Sequence, residues 1–199
     1  MHDYAIFNHD RTKIGRWLGV LSILIAGTIS QILIEMYHLT GIEAFTKATI
    51  TTGVIYFILH YVFNNFIWKL TIFGIPDLSG KWKVIGTTLN EDGSVKYEWT
   101  ANIGIEQNWE KIIINLKTNS SQSFSQTATL EKQHGLGSWL LSYSYKNEPN
   151  INQSHELNAH KGYCQIEFNT DINIGDASYF NNNGRRTFGQ MKLTKEIYD

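Results

Sequence analysis

Residues 17–34 read WLGVLSILIAGTISQILI and residues 48–68 read ATITTGVIYFILHYVFNNFIW, two runs without a charge. Both reach the roughly 17 to 25 apolar residues that a helix needs to cross a bilayer. A helix buried in a soluble core is also apolar all round, but two such runs joined by the short segment 36–47 read as a membrane hairpin. Arg11, Lys13 and Arg16 precede the first run and Lys69, Lys81 and Lys83 follow the second, whereas the connection offers Glu35, Glu43 and only Lys47. Lys and Arg accumulate on the cytoplasmic side, so the pattern predicts a multi-pass protein with both termini in the cytoplasm. A cleaved signal peptide fits less well. The apolar stretch outlasts a usual signal core, no small-x-small cleavage site follows it, and a second span comes directly after.

Polar residues interrupt the runs: Ser22, Thr28, Ser30 and Gln31 in the first, His60, Asn64 and Asn65 in the second. Such groups are costly against lipid and turn towards other helices or towards hydrated ends. Two readings follow. Asn64, Asn65 and Gln31 are simply hydrated near the interfaces, or Gln31, His60 and Asn64 meet their counterparts in a homo-oligomer.

From residue 77 the period of the pattern drops from helical to two. Trp82, Val84, Gly86 and Thr88 alternate with Lys81, Lys83 and Thr87, and after the turn signal Asp92-Gly93 the set Val95, Tyr97, Trp99, Ala101, Ile103 and Ile105 alternates with polar residues. Ile112, Ile114 and Leu116 continue as a third inward set. Phe124, Gln126, Ala128 and Leu130 form a fourth, and Trp139, Leu141, Tyr143 and Tyr145 a fifth. Cys164, Ile166 and Phe168, then strands over 174–181 and 185–195, complete eight. The expected fold is a two-helix transmembrane hairpin followed by an all-β domain, a small eight-stranded antiparallel up-and-down (lipocalin-like) β-barrel whose closure removes exposed edges. The expected divisions are a cytoplasmic tail over 1–13, the hairpin over 14–72 with spans at about 16–36 and 48–70, a linker over 73–79 and the barrel over 80–199. An outer-membrane barrel is excluded, because its outer face must be apolar and this one carries Lys83, Lys96, Glu98, Glu106, Glu131 and Lys192.

Alternating strand direction gathers the connections at 90–94, 118–122, 147–160 and 181–185 at one end, with the long loop among them. Arg185 shares the inward parity of Thr187, Gly189, Met191 and Leu193. An inward Arg needs a partner. It pairs with a buried acid or carbonyls, or its planar fork holds a bound anion such as phosphate. Tyr97, Tyr145 and Tyr179 lie near the same mouth, as core or as stacking surfaces, and Arg186 faces solvent. The 17 basic and 18 acidic residues, net −1, exclude a protein that neutralises polymeric nucleic acid. One Cys excludes an internal disulfide and a multi-thiolate metal site. No His pair has ligand spacing, and no nucleophile constellation is visible. The reading is therefore non-enzymatic, with no metal, no catalytic residue and no cofactor.

The hairpin, the lead-in Ile75-Pro-Asp-Leu-Ser-Gly-Lys-Trp82 and the closing Ala-Ser-Tyr-Phe-Asn-Asn-Asn-Gly-Arg-Arg-Thr-Phe-Gly-Gln-Met191 together resemble the SMODS-associated effectors with two transmembrane helices and a β-strand-rich domain, found in bacterial CBASS antiphage systems. The resemblance implies an inner-membrane effector whose barrel binds a cyclic dinucleotide, oligomerises through its transmembrane segments and disrupts the membrane in abortive infection. It places the ligand at Arg185, Tyr179 and Thr187, with Tyr97 and Tyr145 added by geometry. Two rival classes stand beside it. One is a membrane-tethered carrier of a fatty acid or other apolar ligand, with Arg185 on its carboxylate; the other is an assembly module with no ligand.

Overall fold

The computed structural model describes residues 1–7, 9–43, 51–153, 158–182 and 186–196. The chain divides into two units, Met1–Asn8 with Thr71–Asp199, and His9–Leu70. The helical unit contains α1 (Arg11–Thr40) and α2 (Thr52–Asn65), followed by a 3-10 turn at Ile67–Lys69. Asp10 caps α1 by accepting the Lys13 N–H at 3.2 Å, which holds its carboxyl below the usual carboxylate range. Gly41 ends the helix in the left-handed conformation, φ 67°, with its N–H on the Tyr37 carbonyl. With 30 residues, 18 of them in a stretch of mean hydropathy 2.0, α1 is, among the described residues, the one helix long and apolar enough to cross a membrane. As an α-helix, α2 has 14 residues, about 21 Å at 1.5 Å per residue; residues 44–50, at the start of the second run, lie outside the described residues.

The two helices pack through Ser22 and Ala26 of α1 and Ile55 and Phe63 of α2, while Trp17, Ile23, Leu24, Phe57, Ile58 and Tyr61 stay exposed. Small residues on one side let the helices approach closely. The hydroxyls of Ser22, Thr28 and Ser30 bond to carbonyls three or four residues back in their own helix, and the Asn65 amide does likewise to Tyr61. Each of these groups thus finds an acceptor for one donor within its own helix. Of the residues expected to mediate assembly, Gln31 is exposed, His60 stacks on Tyr56 at 5.9 Å, and Asn64 is half-buried.

The β unit has nine strands rather than eight: β1 (His2–Ile6), β2 (Gly80–Leu89), β3 (Val95–Gln107), β4 (Lys111–Lys117), β5 (Ser121–Lys132), β6 (Trp139–Pro149), β7 (His160–Phe168), β8 (Ile174–Asn182) and β9 (Phe188–Lys195). From β2 to β9 the chain is an antiparallel meander whose first and last strands pair, so the sheet closes into a barrel. The residues expected to form an N-terminal tail supply the ninth strand, and the sheet is mixed, because β1 runs parallel to β5 and antiparallel to β4.

The cause lies in β5. Its pairing with β6 jumps from Ser125↔Tyr145 to Thr127↔Ser144, a bulge that leaves Gln126 unmatched. Pairing of β4 with β5 ends at Asn115↔Phe124, and β1 fills the cleft beyond, with His2↔Ile112 on one side and Tyr4↔Ala128 on the other. The Ser125 hydroxyl accepts the Ile114 N–H at 2.9 Å and bonds His2 Nε2 at 2.7 Å, closing the ladder where the strands part. The bulge also reverses parity. Phe124 and Gln126, expected inside, point outward, and Ser121, Ser123 and Ser125 point in, while Ala128 and Leu130 face the core as the alternation predicts.

The end of the barrel near Gly80 is packed solid by Trp82, Ile103, Ile112, Ile114, Leu130, Leu141, Ile166, Phe168 and Leu193, each at most 2% exposed. Gln107 ties it to the lead-in and to β1: its carbonyl oxygen accepts the Leu78 N–H, and its amide donates to the Tyr4 hydroxyl and the Pro76 carbonyl. Tyr4 is buried. Replacing it by Ala should cost about 3 kcal/mol, read as a fall of roughly 10 °C in the melting temperature of the detergent-solubilised chain. Tyr4→Phe, which loses only the hydrogen bonds, should cost about 1 kcal/mol, and an unchanged melt for Tyr4→Ala would show that β1 does not hold the barrel.

Candidate functional site

The other end of the barrel is open. Each strand of the meander from β2 to β9 contributes to a pocket enclosing about 760 Å³ of atom-free space, part of it open to solvent. Tyr143 and Met191 are buried in its lining. Trp99, Tyr145 and Tyr179 supply aromatic rings, and Thr88, Thr118, Ser120, Ser121, Ser123, Asn147 and His160 supply hydroxyl, amide and imidazole groups interspersed among them around the barrel. Tyr97, Leu116, Asn181 and Thr187 complete the lining. The same bulge that turns Ser121 and Ser123 inward therefore supplies part of the polar wall.

The polar groups are held by one another. Thr88 and the Tyr179 hydroxyl bond at 2.8 Å. Asn181 accepts from the Tyr145 hydroxyl at 2.7 Å and donates to Thr187 Oγ1 at 2.8 Å, which fixes the orientation of its amide. His160 lies 3.0 Å through Nδ1 from the Asn158 carbonyl. A carbonyl only accepts, so Nδ1 carries the proton and Nε2 accepts the Asn147 amide at 3.3 Å. Asn147 also donates to Ser121. Thr118 Oγ1 accepts the N–H groups of Ser120 and Ser121 and so locks the turn between β4 and β5. Among the described residues, no Lys, Arg, Asp or Glu lines the pocket.

The structure brings Tyr97, Tyr145, Tyr179 and Thr187 into this one pocket. Arg185 lies outside the described residues; Arg186 is exposed. Sequence reasoning did not single out Ser121 and Ser123, because the bulge hides their parity. Asn147, His160 and Asn181 escaped it because polar residues at strand ends look like loop. Thr88, Trp99, Tyr143 and Met191 carry the inward parity in the sequence, and their shared level near the mouth is the signal that marks them.

Cys164, opposite both Tyr143 and Tyr179 in the sheet, is fully buried. Burial pushes its thiol up to about 12, against a smaller lowering by the hydrogen bond with Tyr143, and burial likewise drives the Tyr143 phenol well above its usual value. A neutral thiol in an apolar wall is a packing residue, not a nucleophile.

A closed barrel with one filled end and one aromatic, hydroxyl-rich mouth, joined in one chain to apolar helices, defines a membrane-associated small-ligand receptor. Residues 73–195 match the family described as "Cap15, cyclic dinucleotide receptor domain", and residues 12–69 match "Cap15, TM helices". A CD-NTase-associated protein 15 of Yersinia aleksiciae is 33% identical, over 98% of this chain and 97% of that protein. The chain belongs to the Cap15 family, which pairs transmembrane helices with a cyclic dinucleotide receptor domain in CBASS antiphage defence. It is a receptor family rather than an enzyme family.

The buried thiol gives a direct check. Iodoacetamide at pH 8 should leave Cys164 unmodified in the folded chain and alkylate it once denatured. Because its folded value is raised, its contribution to stability is complete below the ordinary thiol value of about 8.5 and is lost as pH rises towards 12. Rapid native alkylation would contradict the burial.

Proposed function

We propose that the open mouth of the barrel takes up a cyclic dinucleotide and that occupancy drives assembly of two-pass helical segments, which disrupts the bacterial inner membrane and kills the infected cell. The observation that carries the ligand reading is the division of the barrel interior. The deep half is filled, so a fatty acid finds no apolar tunnel. The accessible half interleaves π faces with hydroxyl and amide groups around the mouth. Two bases and two phosphates need those complements: stacking for the bases and donors for the phosphate oxygens. Arg185, two residues before Thr187, supplies the cationic fork.

Chain connectivity supports the two-pass reading. Residues 1–8 and 71–199 form one barrel, so the helical segment leaves and rejoins the same folded body. A chain that does so crosses a bilayer an even number of times. With α1 as one crossing, the return falls in the second apolar run, and the basic flanks put the barrel in the cytoplasm. Ligand that binds the assembled state more tightly than the isolated one shifts the population by that difference. Gln31, His60 and Asn64 are the polar residues available to meet between copies.

Two experiments test this. In thermal-shift measurements on the solubilised full chain, a cyclic dinucleotide should stabilise the wild type in a concentration-dependent way, and Arg185→Ala should weaken that effect about tenfold or more, as expected for hydrogen bonds to a charged group. Stabilisation by fatty acids alone would favour a carrier, and no stabilisation by either class an assembly module. In inner-membrane vesicles of defined orientation, tags at the two termini should be cleaved together by added protease in inside-out vesicles and both protected in right-side-out ones. Opposite accessibility of the two tags would refute the two-pass arrangement.

A further inference from the structure

Three aromatic side chains of the pocket stand directly across the sheet from glycine: Trp99 from Gly86, Tyr145 from Gly162, and Tyr179 from Gly189. None of these glycines has the positive φ that would require glycine on backbone grounds. The rings require them. A β-carbon at any of the three would fall within the 3.0 Å that real β-carbons do not enter, against the Trp99 indole, the Tyr145 phenol or the Tyr179 hydroxyl respectively. At Gly162 and Gly189 a backbone carbonyl, of Phe180 or Thr87, is also in the way. At Gly86 the three nearest atoms all belong to the Trp99 ring system. That glycine is therefore a seat for the indole.

The consequence is positional. With bare backbone beneath it, the indole lies back on the barrel wall, where Tyr179 meets it edge-on at 5.8 Å and 75°. A residue with a side chain at position 86 would push the indole inward, across the space that Trp99 now borders. Half-buried and part of the pocket lining, the indole is placed where a planar heteroaromatic group could stack on it.

We propose that Gly86 and Trp99 act as a pair to recognise a nucleobase: Trp99 is the stacking surface and Gly86 the positioning residue that keeps its face open. This rests on the receptor reading above and names the part of the ligand that this wall takes. Tyr145 over Gly162 and Tyr179 over Gly189 extend the same device around the mouth, where backbone contacts make the glycines structural as well.

The test uses the full chain in detergent, with cyclic di-AMP, cyclic di-GMP and cyclic di-UMP as probes, read by affinity and by intrinsic tryptophan fluorescence. The tightest-binding probe should quench the wild-type signal. That quench should vanish in Trp99→Phe and persist in Trp139→Phe, whose ring lies at the packed end. Gly86→Ala and Trp99→Leu should each weaken binding about ten- to hundredfold, the loss expected for one stacked base. Should Gly86→Ala fail to fold, Trp99→Leu decides the matter, and the double variant Gly86→Ala/Trp99→Leu, which removes the collision, should fold and still bind weakly. Wild-type binding that both single variants retain within about twofold, far below the loss of one stacked base, with the quench intact in Trp99→Phe, overturns this pairing and leaves the receptor reading standing. If no probe binds the wild type, the receptor reading falls and the pairing with it.

Discussion

A strand edge carries a row of N–H and C=O groups that must be paired or exposed, and the architecture here turns on the one place where the barrel would otherwise split. Beyond Asn115 and Phe124, β4 and β5 part, and the cleft is filled by five residues from the opposite end of the sequence. The hydroxyl of Ser125 and the amide of Gln107 bind this strand into the sheet and the lead-in segment. Closure by β1 makes the helical unit an insertion between the first and second strands of the barrel. Residues 9–70 are held at both ends by one fold, rather than hanging from its start.

The same local departure shapes the pocket. Had β5 continued its alternation, Phe124 would occupy the interior that Ser123 and Ser125 now face, and the mouth would be apolar. Instead the bulge assigns serines to the upper barrel and keeps Ala128 and Leu130 in the packed half. The interior is thereby graded along its axis, from fully buried aliphatic and aromatic side chains to an aromatic and hydroxyl-lined opening. That gradient distinguishes a site for a flat polar ligand from a lumen for a lipid chain.

Much of this was legible beforehand, for stated reasons. The inward sets of β2, β4, β6 and β7, and that of β3 except Val95, which a register shift turns outward, follow from period-two alternation. Tyr97, Tyr145 and Tyr179 were placed at one mouth by combining that parity with strand direction, with Thr187 added from the family resemblance. Family membership agrees with what the two apolar runs and the strand-rich half suggested together. The hydroxyls of Ser22, Thr28 and Ser30, expected to turn towards other helices or hydrated ends, bond instead within their own helix. A hydroxyl in a helix reaches its own backbone before it reaches a neighbour.

The sequence by itself determined what depends on near neighbours: where apolar runs are long enough to cross a bilayer, where the period changes, and which residues of an unbroken strand share a face. Only the tertiary structure decided where β1 docks, where β5 bulges, and which glycine lies beneath which ring. These depend on pairing between segments as distant as Tyr4 and Ala128, or Tyr179 and Gly189. Pairing of that kind satisfies hydrogen bonds across the barrel, and it leaves no periodic trace within either segment.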